Sequence, residues 1–189
     1  IVINDGIEVD IAEEMEEKDP DLSSVLHTRK LAVQGLPSEI EAASDSAEDK
    51  KIAEHVRSNL KDLKIRKTIL HLMDAVWKGF ACQWINWDVS SGQAWVTGLD
   101  WIPQKRFTFL QTGAVYNEPI LKVPNLLTDD APVYGITPAP WSVIYYRYEA
   151  RSGFAQRGGL FRPCAFYYVF KNYATKDWLI FLATYFPPL

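Results

Sequence analysis

The stretch from Pro163 to Tyr185 constrains this chain more than any other part of it. Two apolar blocks, 164–170 and 178–183, bracket a polar waist of Lys171, Asn172, Thr175, Lys176 and Asp177. Proline suits the first turn of a helix, so the segment reads as one long helix ending near Tyr185. At roughly 100° per residue, Lys171, Asn172, Thr175 and Lys176 fall in one arc about 140° wide, and nearly every other position is apolar. The waist interrupts any run of about 18 apolar residues, which argues against a membrane span. A helix this apolar is expected to be buried in a core or between subunits.

The chain before it divides in two. Residues 8–63 read as helical. Asp19-Pro20-Asp21 is a start signal and Gly35-Leu36-Pro37 a stop, with Leu22, Val25, Leu26, Arg29 and Val33 at near-helical spacing between them. A polar connector spans Glu39 to Asp49. Ser46 with Asp49 loosely resembles a capping box and precedes a stripe of Ile52, Val56, Leu60 and Leu63. Another stripe, Ile65, Ile69, Leu72, Met73 and Val76, belongs to one further helix that Gly79 ends. Both stripes are expected to be core. From residue 80 to 123 the period changes. Trp95, Thr97, Leu99 and Trp101 alternate, as do Phe107 and Phe109, between punctuation at Ser90-Ser91-Gly92, Gly98, Pro103, Gly113 and Pro119. A loop follows from Asn125 to Pro140, then a strand over Trp141–Glu149 and a basic, flexible loop over Gly153–Gly159. The expected class is α+β in one segment, 1–189: residues 1–79 mainly helical and packed on a meander of short, mostly antiparallel strands (80–150), then a long apolar helix (158–185).

A chain of 189 residues with 48% apolar and 13% aromatic content can build a core and is not disordered. Two cysteines give no disulfide framework and point to a reducing compartment. The net charge of −4 hides an asymmetry: residues 1–50 carry fourteen acids against four bases, and the remaining 139 carry ten against sixteen. That split suits either a solvated acidic helical face or a protein meeting both protein partners and nucleic acid.

A search for chemistry finds little. No P-loop, dinucleotide fingerprint, nucleophile elbow or zinc helix occurs. Gly158-Gly159 before a helix offers free N–H groups to an anion, but reads more simply as a flexible lead-in. Asp129-Asp130 offers two carboxylates to a divalent metal for nuclease work, yet lies in a Pro-rich loop without partners. His27, His55 and His71 have no metal-ligand spacing and no nearby nucleophile, and read as surface or boundary residues of helices. Cys82 and Cys164 read as small buried hydrophobes. Catalytic, metal and cofactor residues are therefore expected to be none. Two binding readings stay open. The Trp-rich strands suit an aromatic module that stacks on carbohydrate. The bases Arg147, Arg151, Arg157, Arg162, Lys171 and Lys176 suit weak, sequence-independent phosphate contact. Arg157, Arg162, Lys171 and Lys176 are the candidates for an interface or DNA-facing role.

A family resemblance says more. Gly159-Leu160-Phe161-Arg162-Pro163, then Phe170-Lys171-Asn172-Tyr173 and Lys176-Asp177-Trp178-Leu179-Ile180-Phe181, resembles the "GLLRP … FKNY … KDW..F" signature of Mu-like phage and prophage portal proteins. Glu17-Lys18-Asp19-Pro20, Ser23-Ser24-Val25-Leu26, Thr28-Arg29-Lys30 and Ala32–Pro37 resemble the family's opening. Asp74-Ala75-Val76, Gly79-Phe80, Trp84 and Trp87 resemble "DA...GF" leading into a Trp-bearing strand, and Trp101, Pro103 and Arg106-Phe107 resemble "W.P..RF". The matches run in order from about residue 10 to 185. The chain departs at the end, where Ala183, Tyr185, Phe186 and Pro187 stand in place of "E.YG.P".

The resemblance implies a structural, non-enzymatic ring component at the DNA-packaging vertex of a virion head, assembled in the bacterial host cytoplasm. It implies a homo-oligomer, dodecameric in the full-length protein, in which the helix 160–185 is expected to be buried against its own domain on most sides, its Lys171–Lys176 waist facing solvent, a neighbour or the channel. The implied partners are the terminase large subunit, capsid and head-completion proteins, and duplex DNA bound non-specifically; no membrane and no cofactor are implied. It also implies that these 189 residues are an N-terminal fragment of a longer chain.

Overall fold

The computed structural model describes residues 5–112, 115–121, 138–151, 153 and 155–186. Its class is α+β. In chain order the elements are α1 (Asp5–Lys18), α2 (Pro20–Gln34), α3 (Ala47–Asp62), α4 (Ile65–Leu72), α5 (Asp74–Lys78), β1 (Phe80–Asp88), β2 (Trp95–Ile102), β3 (Phe107–Thr112), β4 (Val115–Leu121), β5 (Val143–Arg147) and α6 (Phe161–Tyr185). The expected loop over Asn125–Pro140 and the Asp129-Asp130 pair lie almost wholly outside the described residues.

Local chemistry sets most boundaries. Asp19 caps α2, its Oδ1 accepting from the N–H groups of Asp21 and Leu22 at 3.1 and 3.3 Å, with Pro20 in the first turn. Ser46 caps α3 by accepting from the Asp49 N–H at 3.1 Å. Gly79 ends α5 at φ 96°, a left-handed conformation that only glycine adopts cheaply. The helix expected over 65–78 is two: the chain turns at Met73, which closes α4 and opens α5. Pro119, read as punctuation, lies within β4. That strand is half of a two-stranded sheet, so the missing N–H can point outward. The strand expected over Trp141–Glu149 is shorter, because Trp141 sits at φ 64° in the turn before β5.

Three strands form an antiparallel sheet in the order β2-β1-β5, with Cys82 opposite Ile102 on one side and Tyr145 on the other. Alternation gives this sheet two different faces. Phe80, Cys82, Ile102 and Tyr145 meet Phe107, Phe109 and Ala155, and the Phe80 and Phe109 rings stand edge to face at 4.8 Å. Gln83 and Trp101 share the opposite face, where the Gln83 amide donates to the Thr68 carbonyl of α4 at 2.9 Å. A second core joins the helices: Ala12, Met15, Leu26, Trp77 and Phe161.

Neither expected stripe reaches the core: Ile65, Ile69, Leu72, Met73 and Val76 are only half-buried. Ile52 is 61% exposed and Val56 is also exposed; on α3 it is Ala53 that is buried. Likewise Val25 and Val33 of α2 face outward, while Leu26 packs inward. A stripe marks which face of a helix is apolar, and parts of those faces have nothing laid over them among the described residues.

Candidate assembly surface

The root of α6 is built at a joint of three glycines. Gly79 opens β1, and its carbonyl accepts from the Tyr148 N–H at 2.9 Å. Gly158 and Gly159 pass so close to other backbone that a Cβ on Gly158 would lie 2.2 Å from the Tyr148 carbonyl oxygen. One on Gly159 would lie 2.5 Å from that of Trp77. These glycines are therefore tight packing positions, which corrects the flexible lead-in expected there. Next, the Leu160 N–H donates to the Val76 carbonyl at 3.1 Å. Phe161 stands edge-on to Trp77 at 6.3 Å, and the Trp77 indole donates to the Ala12 carbonyl at 2.8 Å.

Beyond the root the helix is only lightly held. Leu160, Cys164, Ala165 and Tyr168 pack partly against the helical core. Lys171 reaches Asp19 at 2.9 Å and Asp21 at 3.0 Å, at the start of α2. Hydrogen bonds from Lys171 and from the first turn of α2 outweigh partial burial and lower the Asp19 pKa. Every described residue of 169–186 except Leu182 is exposed. The exposed set includes Phe170, Tyr173, Trp178, Phe181 and Tyr185, with Trp178 61% open to solvent. Their rings contact one another along the helix, Phe181 with Tyr185 at 4.8 Å and Phe166 with Phe170 at 4.4 Å. The expectation of burial against its own domain on most sides is thus overturned: among the described residues only the first two turns are covered. No helix among the described residues is long and apolar enough to cross a membrane.

The four cations singled out from the sequence do not form one patch. Arg162 is paired with Glu8 of α1, and Lys171 with the α2 cap. Arg157 lies exposed on the 3-10 turn Ala155–Gly158, and Lys176 is exposed on α6. The densest group of free cations is elsewhere. Lys61, Lys64, Arg66 and Lys67 surround the α3–α4 corner, all exposed and none in an ion pair among the described residues. The signal was present in the sequence as four bases against one acid in the run 61–67.

Other chemistry is committed to structure. Burial pushes the Cys82 thiol up to about 12, so it holds its proton at neutral pH. Cys164 is only half-buried. Burial, and then the charge of Lys67, lowers the His71 pKa, and the ring faces Trp101 at 6.2 Å. His55 covers Trp95 at 4.3 Å, so α3 and α4 partly roof the aromatic face of β2. No cluster of three metal-ligating side chains occurs among the described residues.

The family described as "Portal protein of Mu bacteriophage" matches residues 9–188. The chain belongs to that family. It is 30% identical over 190 residues to the portal protein of Escherichia phage Mu, covering 96% of this chain and 34% of that protein. It is 28% identical over 184 residues to the Mu-like prophage FluMu protein gp29 of Haemophilus influenzae, with the same two coverages. The chain thus spans about a third of the length of these relatives. On this portal-family chain the stretch that carries the resemblance, Gly159–Phe181, is the α6 assembly just described. Gly159 is the packing glycine of the joint, Lys171 is the clamp to α2, and Trp178 and Phe181 are the uncovered rings.

Proposed function

We propose that this chain is a structural segment of a portal ring at the DNA-packaging vertex of a phage or prophage head. The family match over residues 9–188 carries the reading. The exposed distal half of α6 supports it, since apolar rings along that length need covering by a neighbour. In a ring the contact is heterologous: one surface of each subunit meets a different surface of the next, and closure repeats it around the axis. The ring conducts duplex DNA driven by the terminase, and its outer surfaces dock terminase, capsid and head-completion proteins. Within it, Arg157 and Lys176 are the sequence-selected cations left free for phosphate or a neighbour, whereas Arg162 and Lys171 hold α6 to α1 and α2. The role is mechanical, and no catalytic residue or cofactor is assigned to it.

Sedimentation velocity across a concentration series tests the contact. The expected result is self-association that Trp178→Glu with Phe181→Glu abolishes, with ring-shaped particles by negative-stain microscopy at the highest concentrations. A chain that stays monomeric throughout would remove α6 as the ring contact.

A further inference from the structure

We infer that the groove between the end of α2 and the α3–α4 corner is a docking site for an acidic amphipathic segment of another protein. This goes beyond the portal reading and does not depend on it. The groove encloses about 1230 Å³. That exceeds the roughly 300–1,000 Å³ usual for small-molecule pockets, and suits a length of peptide. Leu36, Ile40, Leu60, Leu63 and Ile69 supply its apolar lining, and Leu36 is 64% exposed on the rigid step before Pro37. Arg57 braces one wall: its Nε and Nη2 donate to the Ile40 carbonyl at 3.0 and 2.6 Å, and its Nη1 meets Glu54 at 3.1 Å. A second tie runs from the Gln34 amide to the Arg66 carbonyl at 3.0 Å. The groove is therefore preformed, and binding need not order the 36–41 connector.

Charge selects the occupant. Lys61, Lys64, Arg66 and Lys67 line the groove with no ion-pair partner among the described residues, against Glu39 and Glu41 on the connector side. An apolar lining between free cations suits a helix with apolar anchors at i, i+3, i+4 and i+7 and carboxylates along one flank. Its acids would meet the α3–α4 cations and its polar back would face water. Duplex DNA fits less well, since its phosphates gain nothing from Leu36 and Ile40.

Fluorescence anisotropy with the full chain tests the assignment. The probes are labelled amphipathic peptides of about 16 residues, leucine on one face and either glutamate or lysine on the other, plus a scrambled acidic peptide and a short DNA duplex. The acidic amphipathic peptide is expected to bind saturably, with Kd on the order of 10 μM and weakening as salt rises. Lys64→Glu with Lys67→Glu should weaken it by about tenfold or more, and Leu36→Ser should weaken it without altering the charge of the rim. All of these positions are at the surface, so unchanged thermal unfolding is the control for folding. No saturation of the acidic peptide up to about 1 mM overturns the proposal. So does equal binding of the lysine or scrambled peptide, or charge reversal without effect. Binding of the duplex instead of the peptide, or a concentration-dependent dimer lost on Lys64→Glu with Lys67→Glu, reassigns the groove to nucleic acid or to a second copy.

Discussion

At the scale of single residues, one carboxylate ties the helical layer together. Asp74 accepts from Lys30 at 2.7 Å, from Lys78 at 2.8 Å and from the Gln104 amide at 2.9 Å. Lys30 also meets Glu16 at 2.8 Å and Lys78 meets Glu13 at 3.1 Å, so α1, α2, α5 and the turn at Gln104 share one network. Burial raises the Asp74 pKa, but the charges and hydrogen bonds of Lys78 and Lys30 outweigh it and hold the group at about 2. Its folded pKa is thus below the ordinary value of 3.8. The stability it contributes is fully present above pH 4 or so and is lost as pH falls through 3.8 towards 2. The shift corresponds to about 2 kcal/mol. Asp74→Asn should cost about 2–3 kcal/mol at neutral pH, since Lys30 and Lys78 lose their shared partner and keep only Glu16 and Glu13. Urea unfolding at pH 7 and pH 3 checks both points. The native chain should lose stability between the two, and the variant should lose less. Equal losses would mean that other carboxylates carry the acid sensitivity. Only the i, i+4 spacing of Asp74 and Lys78 was legible in the sequence, where nothing brings Lys30 and Gln104 beside them.

At the scale of elements, the sequence was most legible where the deciding chemistry is local. The Asp19-Pro20 start, the Ser46 cap and the Gly79 stop each lie where their side chain or φ demands. It was least legible where a distant backbone decides, as at the glycines. Gly35 and Gly159 look alike in sequence, but Gly35 has φ −78° and its nearest neighbour to an added Cβ is 3.4 Å away. At Gly159 that Cβ would meet the Trp77 carbonyl oxygen at 2.5 Å and the Lys78 carbonyl carbon at 2.8 Å. Gly35→Ala should therefore be neutral or stabilise by about 0.4–1 kcal/mol, through a less free unfolded chain. Gly159→Ala should destabilise by about 3 kcal/mol and lower the quenching of Trp77 by loosening the α6 root. Chemical denaturation of the two variants side by side gives the comparison. Similar values for both would show that the joint yields easily and that α6 is not fixed there.

For the whole molecule, the proposed ring would make α6 the link between folding and assembly, and its two ends should behave differently. Periodicity revealed its length and its apolar circumference, but not its surroundings. Apolarity states a need for cover without saying which chain provides it. The structure divides that need: Phe161 is 5% exposed against Trp77 and Met15, while Trp178, Phe181 and Tyr185 stand in solvent. Phe161→Ala should then cost about 3–5 kcal/mol of stability, because it empties a packed site between α1, α5 and α6. Trp178→Ser and Phe181→Ser should change the stability of the isolated subunit by no more than about 0.5 kcal/mol, since neither ring is packed into the core. The same two changes should nonetheless suppress self-association, because they remove the apolar surface that a neighbour would cover. Thermal unfolding and sedimentation velocity on the same samples separate the two effects. If Trp178→Ser costs several kcal/mol in a strictly monomeric sample, the distal half of α6 folds back onto its own subunit and the ring contact lies elsewhere. If it leaves stability unchanged and abolishes association, the helix works as a rooted arm whose cover is another subunit.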